Sequence, residues 1–129
     1  MWRYKDTLKI VISGSRTITD YAELKSFMSE VLGQYRRHHN IVIIAGGADG
    51  VDQLAKRYAK ENAFMYKEFK PIYTSKKRDR RAPLRRNKDM AKTGDILVAL
   101  WNGESPGTKH MIDVMKRKGK PTHVSTITR

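Results

Sequence analysis

The sequence predicts an α/β fold: a Rossmann-like, doubly wound, mainly parallel sheet of about five strands with helices on both faces. Three observations carry this expectation. The runs IVIIA at 41–45 and DILVALW at 95–101 are too apolar for half-exposed strands and suit strands covered on both sides by helices. Between such runs lie stretches with apolar residues at helical spacing, so strands and helices alternate along the chain. Three strand-like runs end in the loops SGSRT, GGADG and NGESPGT, which this topology opens on one edge of the sheet, where ligands bind.

The elements follow in order. LKIVI at 8–12, closed by the turn-prone SGS, predicts a strand at about 8–13. Asp20 and Glu23 have capping-box spacing, and Leu24, Phe27, Met28, Val31, Leu32 and Tyr35 repeat as one helical face, giving a helix over about 20–38. After the strand at 41–45, Val51, Leu54, Ala55, Tyr58 and Ala59 trace a second helix that stops near Asn62. A third strand falls within Phe64 to Tyr73, closed by Pro71. The basic connector SKKRDRRAPLRRNK follows at 75–88, and its second half, after Pro83, starts a helix reaching Ala91. Past the strand at 95–101, Met111, Ile112 and Met115 mark a helix from Thr108 to Lys118 that Gly119 ends. Residues 121–127 read as a last, edge strand. No repeat or linker divides the chain, so residues 1–129 read as one domain.

Composition narrows the function classes. With 27 Lys and Arg against 13 Asp and Glu, the formal charge is +14, which favours phosphate-bearing partners. There is no cysteine, which excludes disulfides, thiolate metal sites and a thiol nucleophile. No run approaches the ~20 apolar residues of a spanning helix, so the expectation is a cytoplasmic protein with no membrane partner. His110 and His123 lack metal-ligand spacing and read as surface residues; no metal and no cofactor is called for.

The glycines of GGADG admit two readings. Gly46, Gly47 and Gly50 can form a phosphate cradle before a helix N-terminus, or they simply make a tight turn. The pattern is neither the Rossmann GxGxxG nor a P-loop, since the Lys-Ser/Thr pair is missing. Asp49 and Asp52 sit in the same turn. Asp49 reads as a helix cap, and Asp52 as either a second satisfier of the helix end or a ligand for ribose hydroxyls.

The set GSR at 14–16, GGADGVD at 46–52, APLRRNKDM at 82–90 and LWNGESPGT at 100–108 resembles the SLOG superfamily, and more closely its small stand-alone YspA-like branch, found in bacteria and their phages. The resemblance extends from about Lys9 to Val124. It implies a Rossmannoid fold with a nucleotide or nucleoside-phosphate pocket at the strand ends. Gly14, Ser15 and Arg16 would line one side, and Gly46, Gly47 and Gly50 the floor, with Asp52 nearby. Arg86 and Asn87 would come from the RN pair, and Gly107 with Thr108 from a second phosphate turn. Relatives of the LOG type are phosphoribohydrolases, the DprA branch binds nucleic acid, and relatives often pair through the helices that flank the sheet. The hydrolytic branch carries a glutamate three residues after the GT pair, where this chain has Met111; a thioether cannot take that acid-base role, and Glu104 is the weak substitute. AP stands here where relatives often have AGP, and Tyr73 where tryptophan is common.

Other residues are weighed by chemistry. Arg16 follows a strand end and suits bidentate phosphate binding. Only its place in the RN pair selects Arg86 over Arg85. Ser105 and Thr108 offer hydroxyls, although Thr108 equally suits a cap. Trp101 and Tyr73 are candidates to stack a base, with Trp101 more naturally core. Lys76 to Lys88 holds eight basic residues and one acidic, so a nucleic-acid partner there stands as an alternative to a solvated loop. The leading expectation is a sensor or sequestering protein for a nucleotide-derived ligand, built as a homodimer or larger. The alternatives are a LOG-like phosphoribohydrolase and an RNA or single-stranded DNA binder.

Overall fold

The computed structural model describes residues 6–35, 40–74 and 79–127. Its centre is β1 (Thr7–Gly14), flanked by β2 (Asn40–Ala45) on one side and β4 (Ile96–Trp101) on the other. β3 (Met65–Glu68) and β5 (Thr122–Thr126) form the edges, giving the order β3-β2-β1-β4-β5 with every pairing parallel. The edge strand expected over 121–127 is thus present as Thr122–Thr126.

Parallel neighbours need crossovers, and the four helices supply them on both faces. α1 (Tyr21–Leu32) and α2 (Val51–Glu61) cover one face; α3 (Ala82–Thr93) and α4 (Pro106–Arg117) cover the other. Period-two alternation sorts the strands accordingly. Ile10, Ile12, Ile43 and Val98 face Leu24, Met28, Ala55 and Tyr58 in the first core layer. Val11, Ile44, Leu97 and Ala99 face Met90, Met111, Ile112 and Met115 in the second. The continuous apolar runs are explained by this double coverage: Ile10, Val11 and Ile12 are all fully buried.

α1 begins as its capping signal indicates, with Asp20 accepting from the Ala22 amide at 3.0 Å. It stops at Leu32, short of the expected 38. Gly33, whose flexibility costs about 1 kcal/mol in a helix interior, caps it by donating to the Ser29 carbonyl. Tyr35 still packs on the core from outside the helix, and residues 36–39 lie outside the described residues. α3 extends two residues beyond the expected Ala91, to Thr93. Among the described residues no helix is long and apolar enough to cross a membrane.

The C-terminal end of α3 is held by one ammonium. Lys120 Nζ donates to the carbonyls of Ala91 at 2.6 Å, Lys92 at 3.2 Å and Gly94 at 2.7 Å. A helix end leaves carbonyl groups without intrahelical partners and carries partial negative charge, so a cation satisfies both needs. Burial disfavours that charge and lowers the Lys120 pKa. Lys120→Met keeps the apolar stem and removes the donors; a loss of about 1–2 kcal/mol in urea unfolding is expected.

Candidate functional site

The order of the strands creates a switch point between β1 and β4, because the chain leaves β1 to one side first and returns to the other later. At the carboxyl ends of these two strands lies a cleft of about 120 Å³. The end of β1 contributes Ser13 and Gly14 and the loop after it Arg16; α3 contributes Pro83, Leu84, Arg86 and Asn87; the start of α4 contributes Ser105, Gly107 and Thr108; Ala48 and Asp52 complete the lining. Most of the residues singled out in the sequence therefore meet in one place.

Ser15, Gly46, Gly47 and Gly50 do not line it. Ser15 is buried and acts as a tie: its Oγ accepts from the Asn102 amide at 3.0 Å, and its carbonyl accepts from Ile18 and Val51. Gly14 does reach the cleft while packing tightly against the Leu100 carbonyl and the Val51 side chain.

The glycine turn answers to its neighbours. Any side chain on Gly46 would run into the Arg86 guanidinium, which donates to the Gly46 carbonyl at 2.9 Å and to that of Phe69 at 3.3 Å. Gly50 has φ of +73°, and a Cβ there would strike the backbone of Ser15 and Arg16. Gly47 lies against the Glu68 carboxylate. The turn thus admits a guanidinium on one side and the β1 loop on the other, and it holds an anion of its own. Asp52 Oδ2 accepts from the Ala48 amide at 3.1 Å, and the carboxylate is bonded to the Gly46 amide as well. Asp52 thus satisfies amides of the turn ahead of α2 and not those of the helix end, whose first amide, that of Val51, donates to the Ser15 carbonyl at 3.4 Å; Asp49 is exposed and makes no side-chain cap.

Burial pushes the Asp52 pKa up to about 6, against the opposing pull of the two amides and the nearby Arg86. Burial likewise lowers the Arg86 pKa, and the Asp52 charge partly offsets it. Arg86 Nε donates to Asn87 Oδ1 at 3.0 Å. The Asn87 amide nitrogen then reaches the Gly107 carbonyl at 3.3 Å and His110 Nδ1 at 3.1 Å, tying α3 to α4. With the amide donating, His110 Nδ1 is the acceptor, and burial lowers the His110 pKa, consistent with a neutral ring. His110 and His123 are half-buried rather than surface residues; His123 Nε2 sits 2.8 Å from the Tyr35 hydroxyl. Among the described residues no acidic, histidine or cysteine group is arranged to hold a metal.

The second helix end at the cleft is different. Ser105 is the N-cap of α4 without a side-chain cap bond, Pro106 has no amide hydrogen, and the Gly107 and Thr108 amides have no partner among the described residues. A Cβ on Gly107 would meet open space, and the Thr108 hydroxyl is 3.4 Å from that of Ser105. Arg16, which also lines the cleft, is exposed with no partner among the described residues.

The remaining candidates fall elsewhere. Arg85 pairs with Asp79 at 2.6 Å and donates to the Ile72 carbonyl, which leaves Arg86 as the guanidinium of the cleft. Trp101 packs on the second core layer and donates from its indole to the Ser105 carbonyl. Tyr73 is exposed. Glu104 is exposed and off the cleft, while Met111 is fully buried in the core. Of the basic segment, Lys76, Lys77 and Arg78 lie outside the described residues.

A family model for the YspA, cpYpsA-related SLOG family matches residues 8–74. The chain belongs to this family. That match spans β1 to the loop after β3, so the SGSRT and GGADG loops fall inside it and the α3 and α4 residues of the cleft outside. The chain is 26% identical over 117 residues to the Gene 61 protein of Mycobacterium phage D29, covering 88% of this chain and 92% of that one. Among solved structures, DNA processing protein A of Streptococcus pneumoniae superposes with a TM-score of 0.69 at 16% identity, over 93% of this SLOG chain and 50% of the other. The Helicobacter pylori DNA processing protein A, known for a single-stranded DNA binding mode, gives 0.65 at 21% identity, over 91% and 64%. The SLOG chain thus spans half to two thirds of the length of these structures, and the likeness establishes the shared fold.

Two substitutions test this geometry. Gly50→Ala meets both a positive φ and a backbone wall, and should cost about 2 kcal/mol or more in denaturant unfolding. Asp52 is harder to ionise folded than unfolded, so it favours the folded chain at low pH, and that advantage is lost as pH rises from the ordinary 3.8 through about 6. Asp52→Asn should therefore gain stability relative to the parent over that interval, by up to about 3 kcal/mol, in unfolding curves at pH 4 and 7.

Proposed function

We propose that this SLOG chain binds the phosphate of a nucleotide or nucleoside-phosphate ligand in the cleft, as a sensor or sequestering protein. The observation that carries the reading is the α4 end: two amides without partners and two hydroxyls face the same small cleft as the Arg16 and Arg86 guanidinium groups. In this assignment the Gly107 and Thr108 amides and the helix dipole take the phosphate oxygens. Arg16 closes over it as a bidentate donor. Arg86, held in place by Gly46, Phe69 and Asn87, acts as fixed positive charge behind it. The α2 end serves differently, since the Asp52 carboxylate stands in its first turn.

Size supports a phosphate rather than an entire nucleotide inside the cleft. Pockets that enclose drug-sized ligands run to roughly 300–1,000 Å³, against about 120 Å³ here. Sugar and base then lie outward, past Leu84. The nucleotide class is favoured by membership of the SLOG family and by the single-stranded DNA binding mode of the Helicobacter relative.

Binding is favoured over hydrolysis because no carboxylate other than the committed Asp52 lines the cleft, and the position of the LOG glutamate is occupied by a core methionine. Release of free base from AMP, abolished in Glu104→Gln, would overturn this. The homodimer or larger assembly expected of such proteins is checked by light scattering on the purified chain.

A thermal-shift panel of nucleoside mono- and diphosphates, ADP-ribose and cyclic nucleotides tests the assignment. A ligand at a hundredfold excess over its Kd should add about 2.7 kcal/mol of stability. Arg16→Ala should weaken binding about tenfold or more without changing the melting temperature of the free protein. Because Asp52 lines the cleft, Asp52→Asn should tighten phosphate binding at pH 7.5. Stabilisation by no member of the panel, or an unchanged Kd in Arg16→Ala, would refute the assignment.

A further inference from the structure

A second hollow, of about 250 Å³ and separate from the cleft, is lined by Lys88 of α3, next in the chain to Asn87, and by Val114, Arg117 and Lys118 at the end of α4. All three cationic side chains are exposed, and none has a partner among the described residues. His110 joins the two hollows: it is bonded to Asn87 of the cleft, and the charges of Lys88 and Arg117 both act on its ring. The acidic group that faces His110 is Asp113, already paired with Lys109 at 3.1 Å. Positive charge therefore predominates on this side of Asn87, with Asp113 the one acidic group that acts on the His110 ring.

A lone nucleotide does not use such a track. Its one phosphate occupies the cleft, while Lys88, Arg117 and Lys118 meet around the separate hollow past Asn87. Three cations gathered there exceed what a phosphate held in the cleft engages, and match further phosphates of the same chain. The apolar floor at Val114 leaves the specificity to charge, with no side chain placed to read a base edge.

The geometry points to a groove between α3 and α4 in which Lys88, Arg117 and Lys118 hold the phosphodiester backbone of a single-stranded nucleic acid whose terminal phosphate sits in the cleft. This extends the phosphate reading of the cleft and rests on it for the anchoring end. A groove between two adjacent helices takes one strand; a duplex would meet it only with its outer backbone.

The experiment uses the full chain, fluorescently labelled mixed-sequence decamers of DNA and RNA carrying a 5′-phosphate, and AMP. At 100 mM salt the decamers should bind at least tenfold more tightly than AMP. The slope of log affinity against log salt should be steeper by about two, since each of three phosphates on a single strand contributes about 0.7. The triple variant Lys88→Gln, Arg117→Gln, Lys118→Gln should lose both the gain and the extra slope while keeping its shift with AMP. All three positions are exposed, and the retained AMP shift reports that the variant is folded. A preference between the DNA and RNA decamers identifies the source of the strand.

Decamers that bind no more tightly than AMP would overturn the proposal, as would a triple variant with an unchanged salt slope. Equal binding of a blunt duplex or of polyglutamate would overturn the single-strand assignment. The two readings fail separately. Decamer binding that depends on the three cations without any AMP shift leaves the groove and removes the cleft as a phosphate site; an AMP shift abolished by Arg16→Ala with no decamer gain does the reverse.

Discussion

One half-buried guanidinium organises the strand ends of this protein. Arg86 reaches from α3 to the carbonyls of Gly46 and Phe69, leans on Asn87, and lies close enough to Asp52 for each charge to ease the other's burial. A buried cation without such partners would be costly, so the surrounding backbone is shaped to meet it. Gly46 has no side chain because the guanidinium occupies that space. Asn87 has both ends engaged, one toward Arg86 and one toward α4. The turn after β2, the first turns of α3 and the start of α4 are thereby fixed to one another, and the cleft is the space they leave.

Two helix N-termini lie beside this space and differ in charge. The first turn of α2 carries a carboxylate of its own, Asp52, whereas the first turn of α4 carries none. The same sequence feature, glycine at a helix start, thus leads to different outcomes depending on whether a carboxylate stands two residues later. Gly50 is followed by Asp52, and Gly107 by Thr108 and Lys109. The difference is electrostatic and local.

Much of this was legible in the chain. Double-sided burial announces itself as an unbroken apolar run, so β1, β2 and β4 and the parallel architecture could be read directly, and the strand-end rule then gathered Arg16, Arg86, Asn87, Ser105, Gly107 and Thr108 into one place. What could not be read depended on which group reaches which. Nothing in GGADG says that its own aspartate fills the turn, because that follows from how α2 rotates Asp52 back over Ala48. Arg85 and Arg86 are equivalent as letters; the pairing of Arg85 with Asp79 separates them. The early end of α1 came from Gly33, whose penalty outweighed a helical pattern that Tyr35 seemed to continue. Pro83 and Leu84 at the cleft had no chemical signal of their own and are there because α3 starts beside it.

The narrowness of the cleft carries a consequence for selectivity. On the proposed phosphate reading, an enclosure of this size would leave the heterocycle in water, where purine and pyrimidine make similar contacts with the rim. Discrimination would then fall on the number and spacing of ionised oxygens, so that a phosphorylated terminus would be told from a hydroxyl one far better than one letter of the genetic alphabet from another.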